Sequence, residues 1–433
     1  MKIALNSYTG YGRWFEFLLR NEDHDVTYFL SEPKFENVLS GLLPPPQMVK
    51  LDHRMHDENY HGSLPDYSKF DLSIFDLTDK PRWSDHSALL TPTIGDGSFH
   101  CILENERSKG IELMKEVGIS IPPTEEFEDV KEAKKFIKKT GKRYVFKADG
   151  GQDIDAASSY VSKDSEDMLD YLDKVSELVH DHKFILQEFV KGIEVSVEGW
   201  FNGTDFYCLN ATLEEKKFMN DGKGPNTGCS GNLVFTLGPD AKIYKEGLWK
   251  MREFLQGTTF KGMLDLNTIV TPEGAYGLEW TPRFGYDASA TLYAMYSGGL
   301  GNLLHASATG GVPENSWKAE FGAAVRITVP PYPTEIRLKK EAGIPVKGID
   351  PDNKEDILRT YLYDVALDKD KLVTAGISGF VAVPIEIGNS IPEAFGKLED
   401  RLKKIQIPDM QYRTDIGKKT SERYYELLKQ GWI

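Results

Sequence analysis

Apolar positions along the chain fall into short runs punctuated by glycine and proline, as in a fold that alternates strands with helices. Lys2–Leu5 reads as an apolar strand and Gly10–Gly12 as a turn. Arg13–Arg20 then gathers Trp14, Phe15, Phe17, Leu18 and Leu19 into a helical cluster. Val26–Leu30 and Phe70–Leu77 read as further buried strands. Strand, glycine turn, helix, strand opens a doubly wound parallel sheet, which receives ligands at the carboxyl ends of its strands. Residues Asn6–Arg13 are therefore expected at a site.

The pattern divides the rest of the chain. Residues 1–95 form the first α/β unit, and 96–125 connect onward through a helix at Ser108–Val117 that stops at Gly118 before Pro122 and Pro123. Residues 126–195 predict a compact α+β module: helix Val130–Thr140, strand Arg143–Ala148, helix Glu166–Leu178, strand Phe184–Phe189. Residues 196–322 are richer in strands. From 323 to 433, strands at Ala324–Val329 and Gly379–Val383 and amphipathic helices at Ile391–Ile405 and Ser421–Gln430 suggest a closing sheet domain. The fold class is thus multidomain, α/β with α+β, headed by a parallel-sheet domain.

Composition narrows the function classes. The 433 residues are 40% hydrophobic and 27% charged, the balance of a globular protein with room for several cores. No apolar run reaches the ~20 residues of a membrane span, and the N-terminus lacks a signal-peptide core, so the chain reads as cytoplasmic. A net charge of −15 disfavours a broad nucleic-acid surface, though not a local basic pocket. Cys101, Cys208 and Cys229 are too scattered for a zinc ribbon or a disulfide framework. His53, His56 and His61 sit in a polar, proline-flanked segment and read as a loop.

Two segments carry candidate chemistry. Asp221–Gly228 is a polar, glycine-spaced stretch in which Asn226 and Thr227 offer hydrogen-bonding groups; a mobile ligand loop and a plain structural turn both fit. Gly262–Leu266 and Gly277–Gly285 flank a turn at Pro272–Gly274 and predict a hairpin. Alternation lets Asp265 and Glu279 face one side, where two carboxylates beside a triphosphate make the usual protein share of a magnesium site. An unremarkable acidic strand face is the other reading.

Five short motifs in order then resemble the phosphoribosylamine–glycine ligase family of ATP-grasp enzymes. They are Val145–Gly150, Glu188–Glu194, Gly224–Gly228, Glu279–Gly285 and Tyr412–Gly417. The resemblance implies an ATP-grasp lid subdomain at 126–195, a central domain at 196–322 and a small C-terminal sheet domain. It also implies ATP and Mg2+ (with Mn2+ as a substitute) as cofactors, and an amino acid and an amine as the small-molecule partners of a monomer or small homo-oligomer. By this resemblance Lys147 and Lys109 would hold the phosphates, and Glu188, Val190 and Glu194 the adenosine. Asp265, Glu279 and Thr281 would face the metal. Arg283 would stabilise the transferring phosphoryl group and orient a carboxylate, with Lys147 as its catalytic partner. Gly10, Gly12, Arg13, Asp221, Asn226 and Thr227 would meet the other substrates.

Four departures mark the chain as divergent. The family's Gly-rich loop with its lysine is replaced by Gly151–Ala157, which carries Asp153 and Asp155; the second metal-binding Asn is Thr281; Gly-Gly-Met-Gly becomes Cys229-Ser230-Gly231; and two aromatics, Tyr11 and Trp14, enter the first turn. These aromatics fit either a flatter acceptor or the core, the latter being preferred. Three functional readings follow: a glycine ligase acting on phosphoribosylamine, a related ligase using another amine such as a modified nucleotide, and a nucleotide-binding protein without catalysis.

Overall fold

The computed structural model describes residues 1–49, 64–76, 81–95, 97–149, 159–180, 182–334 and 342–433. The expected histidine loop and the Gly151–Ala157 segment lie outside these residues. Among those described, no helix is long and apolar enough to cross a membrane.

The N-terminal unit is built from β1 (Lys2–Ser7), α1 (Arg13–Asn21), β2 (Asp25–Leu30), β3 (Gln47–Met48), β4 (Leu72–Phe75), α2 (Pro81–Ala88) and β5 (Thr93–Ile94). Its strands are parallel in the order β3-β2-β1-β4-β5, the doubly wound arrangement the pattern predicts. The order of strand addition reverses at β1, with β2 and β3 on one side and β4 and β5 on the other, so the loop after β1 lies at the switch point where such sheets open a crevice. Gly12 is required there: its N–H donates to Asp76 Oδ2 at 2.7 Å, and a Cβ would sit 2.5 Å from that oxygen.

α3 (Ser98–Asn105) and α4 (Arg107–Glu116) lead to a small second unit: β6 (Thr124–Phe127), α5 (Val130–Thr140), β7 (Tyr144–Ala148), β8 (Ser159–Val161), α6 (Ser165–Val175) and β9 (Phe184–Glu188). Its antiparallel sheet runs β6-β9-β7-β8. The α5 boundaries match the prediction because its signals are local. Asp129 accepts from Lys131 N at the N-cap, and Gly141, at φ 63°, takes the left-handed C-terminal position. This unit has its own core, in which Ala133 and Ile137 of α5 and Met168 and Leu172 of α6 pack on Phe146 and Phe184.

The largest element is an antiparallel nine-stranded sheet. It draws on β10 (Ile193–Phe201), β11 (Phe206–Glu214), the side hairpin β12 (Lys217–Met219) and β13 (Lys223–Asn226), which pairs apart from it, and β14 (Gly231–Thr236). Short helices α7 (Lys242–Glu246) and α8 (Met251–Gln256) precede β15 (Gly262–Val270) and β16 (Ala275–Thr281); α9 (Asp287–Met295) and α10 (Leu300–Thr309) follow. The C-terminal part adds β17 (Phe321–Val325), β18 (Ile327–Thr328), β19 (Ala342–Pro345), α11 (Lys354–Leu358), β20 (Thr360–Leu362), β21 (Val365–Asp368), β22 (Lys371–Ala375), β23 (Phe380–Gly388), α12 (Ile391–Leu402) and α13 (Ile416–Lys429). The main sheet runs β16-β15-β10-β11-β14-β17-β23-β18, with β20 on β23. Strands from both sides of residue 322 thus share one sheet. The single strand expected at Ala324–Val329 is instead broken at Arg326, which turns in to bind Asp287 in a two-pronged ion pair.

Aromatic side chains knot the N-terminal turn to the rest. Tyr11 stacks on Tyr363 with ring centroids 4.3 Å apart and lies 4.4 Å from Tyr286. Trp14 is 1% exposed and donates its indole N–H to Ile357 O at 3.1 Å. The preferred reading as core residues holds for Trp14, whereas Tyr11 is partly buried and packs against that core. Trp14→Ala removes this packing and the indole bond to the Ile357 carbonyl, at an expected cost of about 3–5 kcal/mol. A thermal melt within a degree of wild type would contradict that role.

Candidate functional site

The hairpin of β15 and β16 sets the site. Its register pairs Asp265 with Thr281 and Asn267 with Glu279. Opposed residues share a face, and so do residues two apart on a strand, so all of these side chains point to one side. β10 extends the same face, with Glu198 beside Asp265 and Ser196 beside Asn267. The sequence-based expectation that Asp265 and Glu279 share a face is met.

Cations converge on Glu279 from separate elements. Lys147 comes from β7 of the small unit, is 6% exposed, and donates to the Leu278 carbonyl at 3.0 Å. Arg107, first residue of α4, reaches Glu279 Oε2 at 2.8 Å. Lys216 follows β11 and pairs with Glu194 Oε1 at 2.7 Å, while Asn267 Nδ2 donates to the same oxygen at 3.3 Å. Loss of solvent disfavours the charge on Glu279, but Lys147, Arg107 and Lys216 outweigh it and hold the carboxylate well below its ordinary range. Burial pulls the Lys147 ammonium down to about 8, against the opposing pull of Glu279. Lys216 loses solvation too, yet Glu194, Glu279 and Glu214 raise it far above a free lysine.

Deeper on the face the acids lack such company. Burial, then Glu198 and Glu214, push Asp265 well above the ordinary carboxylate value. Glu198, buried and bonded by Thr212 and by Asn210 at 3.0 Å, is raised by burial as well. Burial likewise lifts Glu214 to about 7. One half of the cleft is thus rich in fixed positive charge, and the other holds protonatable acids that a cation would ionise. That polarity suits a polyphosphate with its counter-ion.

Comparison with known proteins agrees. Residues 107–289 match the family model described as phosphoribosylglycinamide synthetase, ATP-grasp (A) domain. Residues 107–289 are an ATP-grasp domain of this family. The phosphoribosylamine–glycine ligase of Leptospira interrogans is 27% identical over 401 residues, which cover 87% of this chain and 88% of that one. The crystal structure of the Thermotoga maritima phosphoribosylamine–glycine ligase superposes with a TM-score of 0.72 at 20% identity, covering 96% of this chain and all of that one (100%). N5-carboxyaminoimidazole ribonucleotide synthetase from Thermus thermophilus shares the fold at a TM-score of 0.58 and 13% identity, covering 93% and 97% of the two chains.

Within the ATP-grasp frame, the expected residues separate. Lys147, Glu194, Asp265, Glu279 and Thr281 come together at the cleft. Glu188 ends β9 and pairs with Lys142 at 2.7 Å; Val190 is half-buried in the turn from β9 to β10. Arg283 is bound to Glu104 of α3 at 2.9 Å, and Glu104 lines the crevice that also holds Arg107, Lys147 and Glu279.

Four expectations change. Lys109 is exposed and pairs with Glu106 on its own helix; Arg107, two residues earlier and so on the opposite face, takes the inward position instead. Arg13, expected to face a substrate, is turned inward: it is 1% exposed, and its guanidinium is bonded to Glu16, the Val38 carbonyl and the Pro44 carbonyl. Gly10 and Gly12 serve the turn, with Gly10 at φ 76°. The expected loop at Asp221–Gly228 is a hairpin, β12 with β13, because Asp221 and Gly222 adopt positive φ and close it. Asp221 N donates to Asp415, and Arg413 braces Lys217 O and Asp415, so the Tyr412–Gly417 motif holds this hairpin up. Asn226 is exposed on it, whereas Thr227 bonds back to Lys216 O at 2.9 Å and so sits at the cleft edge.

Arg107 and Lys216 escaped the sequence reading. The available signal was adjacency: Arg107 precedes Ser108-Lys109, and Lys216 follows Glu214-Glu215 in a charged pair that looks solvated.

Lys147 yields a pH prediction. The nucleotide-free protein keeps this charge below about 8 and loses it above, whereas bound phosphate retains the proton. ADP affinity should therefore fall as pH rises beyond that value, by up to about tenfold per unit. Calorimetric titration of Lys147→Met should show weaker binding without this alkaline limb; an identical slope in the variant rules the lysine out.

Proposed function

We propose that the chain is an ATP-dependent carboxylate–amine ligase that joins glycine to phosphoribosylamine and releases ADP and phosphate. The observation that carries this reading is the meeting of Lys147 from the small unit with Glu279, on the sheet face that also bears Asp265, inside a domain of matching family. The curated relatives bear the name of that ligase over most of their length.

A carboxylate resists amine attack because its leaving group would be oxide. Transfer of the γ-phosphoryl group solves this. A carboxylate oxygen bonds to phosphorus, the bond to the ADP oxygen breaks, and an acyl phosphate results. The amine nitrogen then bonds to the acyl carbon, the carbon–oxygen bond to phosphate breaks, and the nitrogen sheds a proton. Neither step needs a covalent protein nucleophile; both need positioning and charge.

Lys147 and Lys216 supply positive charge for the phosphates, and Arg107 sets the Glu279 carboxylate. Glu194 would accept from the ribose, with Glu188 and Val190 at the adenine edge. Asp265 and Glu279 would hold Mg2+, or Mn2+ in its place, which supplies neutralisation of the triphosphate charge; the buried Asp265 Oδ1, lacking any hydrogen-bond partner, fits that use. Arg283, released from Glu104, would meet the transferring phosphoryl group.

A second reading keeps the chemistry and changes the amine. It rests on Arg13, whose inward guanidinium removes a charge from the turn where an acceptor is expected.

Purified protein offered ATP, glycine and phosphoribosylamine should release phosphate only when all are present. Glu279→Gln should lower kcat by at least about 100-fold while the variant stays folded by circular dichroism. Turnover with another amine alone selects the second reading; ADP binding without turnover on any amine defeats both.

A further inference from the structure

Beside the acids of β15 lies an amide oxygen without a use. Asn267 is 5% exposed, and its Oδ1 has no hydrogen-bond partner; the same is true of Asp265 Oδ1, two positions along the strand. An amide facing a carboxylate must present its nitrogen, and Asn267 Nδ2 does so towards Glu194 at 3.3 Å. Its oxygen is therefore turned from Glu194. The register places Asn267 directly across from Glu279, and Asp265 directly across from Thr281. Two enclosed, unpartnered oxygens on one face call for a donor or a cation. Thr281, the remaining polar group of this quartet, offers only a hydroxyl.

We propose that Asn267 Oδ1 is a ligand of the divalent cation bound with the nucleotide, completing a protein set with Asp265 and Glu279. The inference rests on the proposed function, since it presumes a metal–nucleotide complex at this face. Chemically the set is apt. Magnesium and manganese take oxygen donors in octahedral geometry, and a neutral carboxamide beside two carboxylates leaves the remaining positions to phosphate oxygens and water. Glu194 gains a part as well: by holding the amide nitrogen it fixes which end of Asn267 faces the ion, the kind of outer contact that tunes a metal ligand. Thr281, on the same face two residues beyond Glu279, marks the position from which a carboxamide could replace it.

Manganese is the probe. With full-length protein saturated in ADP, Mn2+ binding is titrated by the loss of the free-ion paramagnetic signal, and ADP affinity is measured separately in chelator. Asn267→Ala should weaken Mn2+ binding about tenfold while metal-free ADP affinity stays within about twofold. Adding Thr281→Asn to that variant should restore most of the loss. Unchanged Mn2+ affinity in Asn267→Ala, with Glu279→Gln clearly weakened, overturns the assignment of Asn267 alone. An equal fall in metal-free ADP affinity also overturns it, marking Asn267 as a prop for Glu194. If Glu279→Gln keeps full Mn2+ affinity too, the metal site and the proposed function fall together.

Discussion

The approach of Lys147 to Glu279 is the constraint on which the site depends. A lysine held out of water is costly unless a partner answers it, and a glutamate ringed by Lys147, Arg107 and Lys216 carries the complementary need. Each element contributes one charge: β7, α4, the end of β11, and β16. Without ligand the cations satisfy the acid. Against a triphosphate, the same groups can turn to the phosphates, because the attraction that assembled them is not specific to one another.

Much of the fold was legible because its signals are local. The parallel opening followed from Lys2–Leu5, Gly10–Gly12 and the next strand; α5 was recovered through Asp129 and Gly141; the β15–β16 hairpin followed from alternation around Pro272–Gly274. What sequence could not show was where side chains end. Arg13 and Lys109 occupy motif-like places, yet one folds inward on Glu16 and two carbonyls and the other lies along its helix. Arg107 sits two residues from Lys109, and only the rotation of α4 against β16 decides which of them enters the cleft. Lys216 was hidden for the opposite reason, since a run of charged residues reads as solvated surface until the hairpin base folds it in.

The departures from the family pattern also acquire physical content. Tyr11 and Trp14 fill the junction between the first turn, the loop after β16 and β20 (Thr360–Leu362) with its neighbour Tyr363. Cys229 and Ser230 are buried beside β14, with Ser230 bonded to Thr227, so that change repacks the hairpin base. The catalytic face keeps its carboxylates while its neighbours have been rebuilt.

The separate core of the small unit has a mechanical consequence. Phe146, Phe184, Met168 and Leu172 stay sealed against one another wherever that unit sits. It can swing as a rigid flap and expose little new apolar surface, giving up chiefly polar contacts such as Lys147 to the Leu278 carbonyl and Ser108 to Asp149. Water can replace those contacts, so letting spent nucleotide out does not require any part of the protein to unfold.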